Sequence, residues 1–147
     1  MSPKRDGPDR ARSRMEKSFK RTFDSLADIF AFTESFFDAE SVGAAQRHDV
    51  NFAVEELFTN MVKYNSTGSS DIRLEIHRRD GRLVVSLIDA DAKPFDVTRS
   101  PPVDIHRPIE ERQPGGLGLH LTKKIVDSID YRHVDGCTTI KFSKNLR

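Results

Sequence analysis

The stretch VEELFTNMVKY, residues 54–64, spaces Glu56, Asn60 and Tyr64 four residues apart. In a helix, one turn separates Glu56 from Asn60, so a carboxylate and a carboxamide project side by side beyond the apolar stripe. The amide oxygen suits Mg²⁺, which takes few protein ligands and leaves the rest to water and phosphate, and the carboxylate can accept a proton from an attacking hydroxyl. A second acid, Asp89, ends the strand-like run RLVVSLID ahead of ADAKPFD. At the mouth of a sheet it can accept hydrogen bonds from an exocyclic amine such as that of adenine. A third feature, QPGGLGLHL, sets Gly115, Gly116 and Gly118 directly before a helix. Bare backbone N–H groups and the helix dipole favour a phosphate there. Each feature alone has a plain structural reading: a solvated helix shoulder, a turn-forming acid, a flexible helix start. Their order and spacing point to one site.

The elements that would position them follow from periodicity. Residues 1–15 carry five basic and two acidic side chains, two prolines and, besides Met1, one large apolar residue, Met15, which reads as a flexible basic tail. Residues 16–23 alternate, with Phe19, Arg21 and Phe23 on one face, and predict an edge strand. A first helix follows, with Leu26, Ile29, Phe30, Phe36 and Phe37 near helical spacing and Asp24 or Ser25 as N-cap. After Gly43 a second helix places Val50, Ala53, Val54, Leu57, Phe58, Met61 and Val62 on a core-facing stripe, ending near residues 65–70. Residues 71–78 and 82–89 read as a hairpin around Arg79-Asp80-Gly81. The segment from Ala90 to Pro114 holds five prolines and no periodicity, the mark of a lid over a site. A third helix with Leu117, Leu121, Ile125 and Ile129 on one side, then a hairpin around Asp135-Gly136, complete a mostly antiparallel α+β arrangement with helices on one face.

Composition limits the alternatives. A chain of 147 residues with 36% hydrophobic content and ten Phe suits one domain, here residues 16–147. Basic and acidic residues nearly cancel, 24 against 23, so no overall field suggests nucleic acid or a membrane surface. The lone Cys137 excludes an internal disulfide and a cysteine-based zinc cluster. The five histidines show no H-x-x-x-H spacing. No apolar run approaches the roughly 18 residues of a membrane helix and no signal-peptide core is present, so a cytoplasmic protein is expected.

Residues 16–147 resemble the Bergerat-fold ATP-binding proteins shared by GHKL ATPases, and most closely the anti-sigma-factor serine-protein kinases of bacterial partner-switching systems. Glu56-Leu57-Phe58-Thr59-Asn60 is similar to the N box, in which the family's Glu is the general base and its Asn binds Mg²⁺. DADAKPFD, residues 89–96, resembles the G1 box, whose leading Asp reads adenine and whose ending, with Phe95, is typical of the anti-sigma branch. Gly115-Gly116-Leu117-Gly118-Leu119 resembles the G2 box that wraps the triphosphate, and the closing helix and hairpin, with Thr139, match that branch. The resemblance implies a two-layer α/β sandwich with three main helices and a lid. It also implies ATP and Mg²⁺ as cofactors, with Glu56 as catalytic base, Asn60 on the metal, and Asp89, Phe95, Gly115, Gly116, Leu117, Gly118, Leu119 and Thr139 at the nucleotide. The chain departs from the pattern at Asp91, where the family has Gly, at Tyr64, where it commonly has His, and at Leu117, where it often has Arg. Arg107 or Arg112 would then supply a phosphate-facing cation.

On this resemblance the chain is expected to be a serine/threonine protein kinase that phosphorylates a small anti-sigma-factor antagonist and sequesters a sigma factor, as a homodimer. A nucleotide-gated binding module without phosphate transfer is the alternative, and Glu56 speaks against it because binding alone needs no base. The catalytic domain of a sensor histidine kinase is a third reading, weakened because His48 lies in the nucleotide-binding helix and cannot serve as phosphoacceptor.

Overall fold

The computed structural model describes residues 14–64, 68, 70–90 and 116–146. Five strands, β1 (Arg14–Phe19), β2 (Ile72–Arg79), β3 (Arg82–Asp89), β4 (Ser128–Val134) and β5 (Cys137–Asn145), form one sheet in the order β1-β2-β3-β5-β4. Every neighbouring pair is antiparallel. Two of the joins are made by two-residue Asp-Gly turns, Asp80-Gly81 and Asp135-Gly136, with φ of 54° and 76° in the first and 53° and 79° in the second. Both central residues of such a turn need positive φ, which glycine adopts freely and aspartate tolerates. These turns pin the registers Arg79 to Arg82 and Val134 to Cys137, and with them which side chains face inward.

The inward face carries Phe19, Ile72, Leu74, Ile76, Leu83, Val85, Leu87, Ile140 and Phe142, all buried. Helices α1 (Leu26–Ala39), α2 (Ala44–Tyr64) and α3 (Gly116–Ile125) contribute the second layer. The Phe32 ring of α1 meets Phe19 edge-to-face at 5.7 Å between centroids, fixing α1 over the β1 edge. All seven residues of the stripe expected on α2 are buried. Arg47 staples α1 to α2: its guanidinium donates to Glu34 and to Asp38 at 2.5 and 2.7 Å, and its Nε donates to the Val42 carbonyl at 2.7 Å. Lys144 does the same for α3. Its Nζ donates to the Ile125 carbonyl, at the end of the helix, at 2.6 Å and pairs with Asp49 of α2 at 2.9 Å.

Three boundaries differ from expectation. β1 starts at Arg14, inside the expected tail, because residues 14–19 pair with β2 from His77 to Ile72. It ends at Phe19, and Phe23 falls in a 3₁₀ turn (Phe23–Ser25), 51% exposed rather than on a strand face. In the third helix the buried positions are Leu119 and Thr122, with Val126 just past its end, and Leu121 is exposed; the helix stops at Ile125, so Ile129 belongs to β4. Residues 1–13 and the proline-rich stretch 91–115 lie outside the described residues.

The outer face of the sheet carries charged ladders instead of helices. Arg14 and Arg73 both pair with Glu16 and Glu75 across β1 and β2. His77 sits next to this group on β2, half-buried, and its pKa lies below the usual 6.5, first through burial and then through Arg14, Lys141 and Arg79, with Glu75 opposing them. The unfolded chain therefore binds a proton on this residue before the folded one does. Stability should fall as pH drops from about 6.5 toward the folded pKa, and the slope of urea-unfolding free energy against pH in that window should flatten in His77→Gln.

Candidate functional site

Helix α2 delivers Glu56 and Asn60 toward the end of the sheet where β3 finishes. After α2 the chain has only residues 65–71 before β2 starts at Ile72, the residue paired with Asp89. The Asn60 side chain is locked in one orientation. Its Nδ2 donates to the Glu56 backbone carbonyl at 2.6 Å and to Glu56 Oε2 at 2.7 Å. Both donor hydrogens are thus used, and the amide cannot flip without losing both bonds. Asn60 is 1% exposed, and its Oδ1 has no hydrogen-bond partner among the described residues. A buried acceptor left open costs stability, about 1–3 kcal/mol, so an oxygen held this way is set up for an external ligand. Glu56 is half-buried, and its Oε1 accepts no bond among the described residues. No three His, Cys, Asp or Glu side chains cluster among the described residues. One carboxamide oxygen suits Mg²⁺, whose remaining ligands are usually water and phosphate oxygens, and it is a poor donor set for zinc.

Asp89 ends β3 with its carboxylate buried. The strand pairings set a row across the inner face at this level: Phe19, Ile72, Asp89, Thr138, His133. Thr138 is buried, and its hydroxyl lies 2.7 Å from His133 Nδ1. Thr139, the residue expected at the nucleotide, pairs instead with Ile88 and Arg132 on the outer face. Side chains alternate along a strand, so a shift of one residue moves the hydroxyl to the other side of the sheet. The threonine that shares a face with Asp89 is Thr138.

Arg21 is the second feature that residue spacing did not assign to the site. Its guanidinium forks onto Asp89: Nη1 donates to Oδ2 at 2.8 Å and Nη2 to Oδ1. The arginine side chain is 4% exposed and the aspartate side chain 2%. Arg21 shares the alternation of Phe19, and an arginine on a core-facing phase is a sign that a buried acid waits for it.

The glycine-rich element gives α3 its start at Gly116, so Gly116, Leu117 and Gly118 form its first turn, where unpaired N–H groups are available to an anion. Leu119 is buried in the core, so only its backbone is available to a ligand. Phe95, Gly115, Asp91, Arg107 and Arg112, and the side chains of Tyr64 and Leu117, lie outside the described residues.

The family model described as a histidine kinase-like ATPase domain matches residues 19–144, which spans every element from Phe19 to Lys144. The chain belongs to this family. Among curated relatives, the serine-protein kinase RsbW of Halalkalibacterium halodurans is 28% identical over 91 residues, 60% of this chain and 56% of that protein. The serine/threonine-protein kinase BtrW of Bordetella bronchiseptica is 28% identical over 116 residues, 78% of this chain and 82% of that one. The chain thus spans little more than half the length of the RsbW relative. The crystal structure of the RsbU and RsbW domains of a Mycobacterium tuberculosis protein superposes with a TM-score of 0.67 at 15% identity, over 90% of this chain and 32% of that one, which shows a shared fold. Among the described residues of this ATPase domain, no helix is long and apolar enough to cross a membrane.

The Asn60 geometry yields a test that needs no ligand. Asn60→Leu removes an unpartnered buried acceptor, and the Glu56 oxygen it frees is half-exposed and can turn to water. Its urea-unfolding free energy should match or exceed that of the natural chain, whereas Asn60→Asp, which sets a second carboxylate against Glu56, should lose about 1–3 kcal/mol.

Proposed function

We propose that this ATPase domain is an ATP-dependent serine/threonine protein kinase that binds Mg·ATP between α2, α3 and the end of β3. The observation that carries this reading is the Asn60 amide, held by Glu56 with its oxygen buried and open. Asn60 Oδ1 would hold Mg²⁺, which when bound neutralises the phosphate charge and draws it into line. Asp89 would accept the exocyclic amine of adenine, with Thr138 on the same row offering a hydroxyl to the ring. The backbone N–H groups of Gly116, Leu117 and Gly118 would face the phosphates.

In the transfer step, a serine or threonine hydroxyl of a partner protein attacks the γ-phosphorus. Glu56 takes the hydroxyl proton as the new O–P bond forms and the bond to the β-phosphate oxygen breaks, leaving ADP and a phosphorylated partner. Glu56 can do this because Asn60 binds one of its oxygens and the other accepts no bond among the described residues. The resemblance to partner-switching kinases, together with the kinase names of the two curated relatives, supports a small anti-sigma-factor antagonist as the phosphorylated partner. On the same reading a dimer of the chain sequesters a sigma factor in the cytoplasm, and added phosphate on the antagonist breaks its hold on the kinase through charge repulsion.

Titration calorimetry with a non-hydrolysable ATP analogue should show binding that strengthens with Mg²⁺, and Asn60→Ala should lose that dependence. Glu56→Gln should bind nucleotide within about threefold of the natural chain yet transfer phosphate to an antagonist roughly 10²–10⁴-fold more slowly. Equal transfer rates in Glu56→Gln would sink the base assignment. Nucleotide binding without transfer to any antagonist would favour the alternative, a nucleotide-gated protein-binding module.

A further inference from the structure

We infer that Arg21 is a built-in occupant of the base end of this site, so that a nucleotide reaches Asp89 only when the Arg21 guanidinium withdraws and the linker of residues 20–25 moves with it. The inference rests on the nucleotide reading above and adds a competitor to it.

Three observations carry it. First, the fork of Arg21 engages both carboxylate oxygens in plane, the directions from which an amine would approach. Second, both side chains are almost wholly removed from solvent, so the carboxylate has no open side for a base until something leaves. Third, the residues able to leave are already outside the sheet ladder. The β1 pairing stops at Phe19, and the linker's own backbone and hydroxyl bonds among the described residues are local: Thr22 N–H to the Lys20 carbonyl at 2.8 Å, Ser25 N–H to the Thr22 carbonyl at 3.1 Å, and the Ser25 hydroxyl to the Lys20 carbonyl at 2.7 Å. A turn of this size can shift without breaking a strand pairing or a helix.

A closed state of this kind raises the apparent dissociation constant by the ratio of closed to open molecules. It also reports outward. The linker carries Phe23, an exposed large apolar side chain, next to the free edge of β1. Occupancy of the base end would therefore change how that edge is presented.

Two measurements test this. The chain contains no tryptophan, so Phe23→Trp places a single emitter on the linker. Saturating Mg·ATP should shift its emission, whereas Mg·tripolyphosphate, which has phosphates and no base, should bind without shifting it. In calorimetry, Arg21→Gln should bind ATP at least tenfold more tightly than the natural chain and tripolyphosphate equally well. ATP binding that weakens or stays the same in Arg21→Gln shows that the arginine assists the base or ignores it, and overturns the inference while leaving the nucleotide reading intact. Should Arg21→Gln not fold, an unchanged Phe23→Trp emission at saturating ATP overturns it equally. Failure of both Arg21→Gln and the natural chain to bind either ligand removes the nucleotide reading and this inference together.

Discussion

Asp89 closes the central strand of the sheet with a carboxylate kept from water, and a charge in that position must be met by groups the fold can bring to it. That requirement organises one whole end of the domain. The register of β1 on β2 and of β2 on β3 places Phe19 two strands away on the same row, so a chain leaving β1 after Phe19 passes over Asp89 within reach of an arginine. Arg21 fills that place, 68 residues distant in sequence. On the other side, β5 offers Thr138 and β4 offers His133, the two bonded to each other. Elements that share no sequence neighbourhood thus contribute to one row across the sheet, and the apolar rows of Leu87 with Ile140 and Val85 with Phe142 begin one step further along.

Helix α2 solves a different problem. Its buried stripe must hold the helix on the sheet while the next turn of the same surface presents an open oxygen. The solution is internal to the helix. Asn60 is buried like a core residue, but its donors return to Glu56 one turn earlier, so no other element has to satisfy them. The remaining oxygen is the only part of the amide left for a ligand, and its direction is set by bonds made within a single turn. A site built this way keeps its geometry even when neighbouring segments move.

How far the sequence could be read depended on whether a local rule or a tertiary one decided each residue. The α2 stripe was legible because one face over 21 residues leaves little choice, and both hairpins were legible because an Asp-Gly pair fixes turn and register together. Glu56, Asn60 and Asp89 were singled out not by any local rule alone but by the order and spacing of three features and the family resemblance these carry. Thr138 could not be separated from Thr139 without the pairing to β3, since adjacent threonines differ only in which face they occupy. Arg21 was visible as a face-sharing neighbour of Phe19, yet its partner lies across two strands, and nothing local names it. In α3 the leucines suggested one stripe, but the face turned to the core is that of Leu119, Thr122 and Val126, and a threonine on it hid that face from an apolar pattern.

Two polar fastenings of the helices, through Lys144 and Arg47, lie at the end of the sheet away from Asp89. Lys144 pairs in register with Leu83, at the start of β3, and from there it holds both the last carbonyl of α3 and Asp49 of α2. Arg47, two residues before Asp49, ties α1 to the same region. From Asp49 to Asn60 is about three helical turns, a rise of about 16 Å, and α3 likewise runs from its glycine-rich start at the site to its anchored end. The polar anchors of α2 and α3 therefore lie where no chemistry is proposed, and both helices extend from there toward the place where it is. That arrangement lets Arg21, held in a short linker outside both the ladder and the helices, exchange with a ligand without disturbing the core that places Asn60 and Asp89.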